Sequence, residues 1–147
     1  MWLPDTNVWI RYLNPQSSPV KACFLRCPAD QIFLCDVVKA ELYFGAFKST
    51  RRDENLTLLD ELGNNFLSFP FNGNAALHFG RIRADLAKTG NPIGPYDLQI
   101  AAIALSHSLT LVTHNTREFS RVSGLNLEDW ETKAAFRVNC QQHVQTT

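Results

Sequence analysis

Short apolar stretches at Met1–Pro4, Gln31–Cys35, Phe66–Phe71 and Ser108–Thr113 each run into polar residues, and the first three then lead into apolar side chains at helical spacing. Strand and helix signals in alternation leave one economical arrangement: an α/β chain in three layers, α/β/α, with helices covering a central, mostly parallel sheet. Ser108-Leu109-Thr110-Leu111-Val112-Thr113 carries the clearest strand pattern, being alternating and β-branched. Pro4 fits its strand poorly, because proline donates no ladder hydrogen bond. In sheets of this kind ligands gather beyond the carboxyl ends of the strands. Asp5, Asn115 and Glu118 follow strands directly and so fall at that edge.

The helices are expected at Val8–Leu13, Val20–Arg26, Val37–Phe47, around Leu56–Leu62, from Ala75 to Leu86 behind an Asn72 cap, and from Pro95 onward. Asp36 is the expected N-cap of the third, whose Val37, Val38, Leu42 and Gly45 are expected to face the core. Gly124–Trp130 adds a last short strand. A length of 147 residues with 45% hydrophobic and 19% charged side chains suits one folded domain, placed at residues 1–130, with residues 131–147 as a polar tail that is disordered or covers an interface. No run of about 18 apolar residues and no basic-then-apolar leader occurs, so a cytoplasmic protein without membrane contact is expected. Fourteen basic residues balance fourteen acidic ones, so a nucleic-acid role would rest on local clusters of Arg and Lys. Cys23 and Cys27 lie four apart on a helix, but no second Cys/His pair at ligand spacing joins them, which argues against zinc.

Three acids stand out. Asp97 follows Gly94-Pro95 in the first turn of an apolar helix, Glu41 sits beside the apolar stripe of another, and Asp5 ends the first strand. Each has an ordinary explanation. Asp5 can cap a helix, Glu41 can pair with Lys39 or Lys48, and Asp97 suits the helix dipole. Brought together, two carboxylates about 4 Å apart repel by roughly 4 kcal/mol at an effective dielectric near 20. A hard divalent cation offsets that repulsion, and an oxygen-only donor set suits Mg²⁺ or Mn²⁺. Such a centre activates water for attack on a phosphodiester.

Four motifs follow one another in the chain: Asp5-Thr6-Asn7-Val8; Ala40-Glu41-Leu42 with Gly45; Ile82-Arg83-Ala84-Asp85-Leu86 leading through Gly90 and Pro92-Ile93-Gly94-Pro95-Tyr96-Asp97-Leu98; and Leu111-Val112-Thr113-His114-Asn115-Thr116-Arg117-Glu118-Phe119. In this order they resemble the PIN-domain family and more narrowly its VapC toxin branch. The resemblance spans about residues 1–130. It implies an Mg²⁺-dependent endoribonuclease, with Mn²⁺ as substitute, in which Asp5, Glu41 and Asp97 hold the metal and a metal-activated water cuts RNA of the tRNA or ribosomal RNA class. It also implies the toxin of a toxin–antitoxin pair: a homodimer bound by a small antitoxin, with promoter DNA contacted only through that antitoxin.

Where many members carry a fourth acid this chain has Asn115, with Glu118 close by to take over the charge. Thr6 is expected to orient Asp5 or a water, and Arg83 and Arg117 to meet RNA phosphates. His114 lacks a visible catalytic partner in the sequence and reads as an incidental loop residue. The competing readings are a catalytically weak PIN-like module that binds RNA or a partner, and a PIN nuclease of RNA processing or DNA-structure cleavage.

Overall fold

The structure is a computed structural model that describes residues 1–132, so the expected tail from residue 133 onward lies outside the described residues. The chain runs β1 (Trp2–Pro4), α1 (Thr6–Leu13), α2 (Pro19–Arg26), a 3-10 turn (Ala29–Gln31), β2 (Leu34–Cys35), α3 (Asp36–Lys48) and α4 (Arg52–Asn65). It continues through β3 (Ser68–Phe69), α5 (Gly73–Lys88), α6 (Pro95–Ser106), β4 (Thr110–Val112), α7 (Thr116–Phe119) and β5 (Leu127–Glu128). β1 pairs parallel with β4, β4 with β5, and β2 with β3. A bridge between Trp2 and Ile32, with Phe33 N–H donating to Trp2 C=O at 2.9 Å, joins the two ladders in the order β3-β2-β1-β4-β5. Every pairing among the described strands is parallel, as the alternation of strands and helices requires.

Pro4 is accommodated without loss. Met1 C=O accepts from Thr110 N–H at 3.0 Å and Asp5 N–H donates to Val112 C=O at 2.9 Å, so the odd-numbered positions flanking β1 serve β4. Pro4 therefore turns its missing donor toward β2, which has already left β1 after the single bridge at Trp2.

Capping decides where several helices begin. Ser18 accepts from Lys21 N–H at 3.2 Å with Pro19 at the first helical position, and Asn72 accepts from Ala75 N–H at 3.1 Å. Asp36 behaves differently from expectation. It is the first helical residue of α3, behind Cys35, and its carboxylate accepts from the Ser68 hydroxyl at 2.7 Å, tying α3 to β3. Gly45 also departs, being exposed, while Ala46 takes the core position. A dense aromatic group locks α1 and α2 to the sheet's end: Tyr12 stacks on Phe24 at 4.2 Å, Trp9 meets Phe66 at 4.9 Å and Phe24 meets Trp130 at 5.2 Å.

The helix α6 passes through the middle of the molecule. Ile100, Ala101, Ala102, Ile103 and Ala104 are all completely buried, which explains why this helix is apolar on every side. It packs along α5 and also touches α3 and β4. That wedge fixes its amino end, and Asp97 with it, at the carboxyl edge of β1 and β4. No helix among the described residues is long and apolar enough to cross a membrane.

Candidate active site

Asp5 leaves β1 and caps α1, one oxygen accepting Val8 N–H at 3.0 Å. The helix-cap role is thus real, and it occupies only one of the carboxylate's two oxygens. Asp5 is 7% exposed, so it is a buried acid with no Lys or Arg ion pair among the described residues. Burial raises its pKa, the hydroxyl of Thr113 and the Val8 amide oppose the shift, and the nearby charges of Glu131 and Glu41 add to it.

Glu41 stands in the second turn of α3, half-buried. It pairs with neither Lys39 nor Lys48; its Oε1 accepts the Thr6 hydroxyl at 2.7 Å, while Lys48 lies over the Phe44 ring. Thr6 therefore orients Glu41, where the sequence suggested Asp5 or a water as its partner. Asp97, in the first turn of α6, is pushed up to about 6, chiefly by burial and then by the charges of Asp5, Glu41 and Glu118. Four carboxylates from β1, α3, α6 and α7 therefore share one electrostatic environment. A helix dipole acting on Asp97 would lower its pKa, so the dipole is not what governs this residue.

Asn115 and Glu118 work as a pair. The Asn115 amide donates to Glu118 Oε2 at 2.5 Å, and Arg121 approaches Glu118 Oε1 at 3.9 Å while also donating to the backbone carbonyl of Asn91, in the loop that leads into α6. Thr113, buried at the end of β4, accepts Asn115 N–H at 3.0 Å and also holds Asp5, linking both halves of the cluster. Arg83 on α5 and Arg117 on α7 are exposed, and neither forms an ion pair among the described residues.

A buried Asp5 beside the half-buried carboxylates of Glu41, Asp97 and Glu118 calls for a cation, and an all-oxygen donor set suits a hard divalent one.

A second group was not anticipated. His114 Nδ1 lies 3.0 Å from Asp129 Oδ2 and 3.1 Å from Glu131 Oε2, and Glu131 Oε1 meets Arg11 Nε at 2.6 Å. Pairs separated by 15 residues across a β-crossover have no local sequence signal. Glu131, placed at the start of the tail by composition, is instead fastened to α1 and to the β4–α7 loop.

A PIN-domain profile matches residues 2–125. The chain belongs to the PIN-domain family. Its curated relatives in the family are VapC ribonucleases: a "tRNA(fMet)-specific endonuclease VapC" of Shigella flexneri is 38% identical over 126 residues, covering 86% of this chain and 95% of that protein. A "Ribonuclease VapC2" of Haemophilus influenzae is 34% identical over 129 residues, covering 88% and 97%. Among solved PIN-domain structures, DNA-bound VapBC from Salmonella typhimurium superposes with a TM-score of 0.82 at 34% identity, covering 88% of this chain and 97% of that one. VapBC2 from Rickettsia felis, bound to a fragment of its promoter, gives 0.80 at 30% identity, covering 88% and 98%. Within the PIN-domain family, then, the chain is of the VapC type.

Proposed function

We propose that this VapC-type toxin is an Mg²⁺-dependent endoribonuclease, with Mn²⁺ as substitute, whose metal is held by Asp5, Glu41 and Asp97. The observation that carries the reading is the gathering of carboxylates from separate elements: Asp5, Glu41 and Glu118 all lie close enough for their charges to act on Asp97. A cation bound there would polarise a phosphodiester and lower the pKa of water next to it. The chain's own residues do the rest. Thr6 holds Glu41 in one orientation, the Val8 amide and Thr113 hold Asp5, and Asn115 holds Glu118 so that its negative charge faces Asp97. Glu118 thereby supplies the fourth charge that Asn115 lacks, which argues against the catalytically weak reading. Arg83 and Arg117, exposed and without ion pairs, are suited to phosphates of the bound RNA.

The substrate is RNA of the tRNA or ribosomal RNA class; the tRNA-specific names of two relatives, 38% and 35% identical, favour tRNA. The partner is a small antitoxin, the assembly seen in VapBC relatives, and promoter DNA is contacted through it. An open groove of about 420 Å³ suits a segment of that antitoxin: Ile10, Leu13, Leu42, Leu58 and Leu59 supply apolar lining, and Glu41 lines the groove with them. Apolar side chains followed by a basic one would fill the groove and neutralise the acids. The toxin acts in the cytoplasm as a homodimer, and residues 1–130 form its nuclease domain.

The test is cleavage of RNA by antitoxin-free protein. Cutting that needs Mg²⁺ or Mn²⁺ and leaves 3′-hydroxyl and 5′-phosphate ends is expected. Undiminished cutting in excess chelator overturns the assignment.

A further inference from the structure

We propose that His114 is the general acid that protonates the leaving 3′-oxygen in this reaction, with Asp129 and Glu131 as the positioning residues of its ring. The assignment rests on the nuclease reading above and adds a step to it. Hydrolysis to a 3′-hydroxyl forms a bond from water oxygen to phosphorus and breaks the P–O3′ bond, whose electron pair stays on O3′. That oxygen needs a proton, and none of the carboxylates described above has been given that task.

His114 has the position and the support for it. It lies between Thr113, whose hydroxyl holds Asp5, and Asn115, whose amide holds Glu118, so the backbone delivers it to the edge of the carboxylate cluster. Its Nδ1 is held at 3.0 Å by Asp129 and at 3.1 Å by Glu131, and the charge of Glu131 is felt at Asp5. The two carboxylates are themselves fixed on their other oxygens: Asp129 Oδ1 accepts Glu131 N–H at 2.9 Å, and Glu131 Oε1 binds Arg11 at 2.6 Å. Both are largely shielded, at 16% and 15% side-chain exposure, whereas the imidazole is 62% exposed. Nδ1 is thus occupied on the protein side, and Nε2 makes no hydrogen bond among the described residues. A carboxylate that holds one ring nitrogen sets the orientation and tautomer of the imidazole and leaves the other nitrogen for proton transfer.

In the step itself, the Nε2–H of the imidazolium passes its proton to O3′ as the P–O3′ bond breaks. The ring is left neutral, with its Nδ1–H still on Asp129, and regains a proton from solvent after product leaves. The proton released by the attacking water goes to solvent.

The experiment compares ordinary RNA with RNA carrying sulfur in place of the bridging 3′-oxygen at the cleaved bond, in Mn²⁺, using full-length antitoxin-free protein. A thiolate leaves without protonation. On ordinary RNA, His114→Ala and His114→Gln are expected to lose roughly 10²-fold or more in rate, the usual contribution of a general acid. On the thio-substituted RNA each variant should match wild type to within about threefold. Equal losses on both substrates, as a structural or cation-holding role of the cluster would produce, overturn the proposal; so does no loss on either. Wild-type protein that cuts neither substrate overturns the nuclease reading first, and this assignment with it.

Discussion

At the residue scale, one hydroxyl and one carboxyl make the sharpest predictions. Thr6 contributes a single 2.7 Å hydrogen bond to Glu41. Thr6→Val keeps the shape and removes that bond, and partners of this kind are worth about 10–100-fold in metal affinity or activity. Mg²⁺ titration of the cleavage rate should show that loss with an unchanged melting temperature. Asp97 bears on stability. Its folded-state pKa of about 6 lies above the unfolded value, so the native chain binds the extra proton more tightly and is favoured at low pH. The stability that proton confers is complete below the unfolded pKa near 4 and is lost as the pH rises through about 6. Metal-free protein should therefore gain stability from Asp97 at about pH 5 relative to about pH 7, seen as a rise in melting temperature. In Asp97→Asn that rise should shrink, and thermal scans across the interval check it.

At the element scale, helices were legible because their caps and apolar spacing are local. Asn72 begins α5 where the sequence places it, α2 starts at Pro19 behind the Ser18 cap, one residue ahead of the expected Val20, and Gly63-Asn64-Asn65 ends α4. Strands were read too long. Gln31–Cys35 and Phe66–Phe71 contain only the two-residue strands Leu34–Cys35 and Ser68–Phe69, because hydrophobic runs report burial and not ladder pairing. Asp36 looks like a cap by type, yet Ser68 claims it from 32 residues away. That the acids at 5, 41 and 97 come near one another was legible through motif and position, whereas the support of His114 by Asp129 and Glu131 was not, since it arises only once β5 lies beside β4. The aromatic lock on α1 carries its own expectation. Trp9 is fully buried against Tyr12, Phe24 and Phe66, so Trp9→Ala should cost about 3–5 kcal/mol in denaturant unfolding.

At the scale of the whole molecule, the fold places an apolar groove and an acidic centre side by side, with Glu41 common to both. A partner that fills the groove therefore also reaches the chemistry. Leu58, 42% exposed on the groove wall, separates the two functions. Leu58→Asp should weaken antitoxin binding by tenfold or more, as loss of a central apolar contact does, and leave RNA cleavage by free toxin near wild type. Calorimetry of the complex beside a cleavage assay checks both halves. The account as a whole stands on the carboxylates of Asp5, Glu41 and Asp97 holding one divalent cation, with Glu118 adding charge beside them. The most direct measurement is Mn²⁺ binding to antitoxin-free protein by electron paramagnetic resonance, run beside Asp97→Asn with its melting curve. The account predicts that the folded variant binds Mn²⁺ at least about tenfold more weakly than wild type, in keeping with the loss of a charged ligand. Equal binding by the two proteins would contradict it.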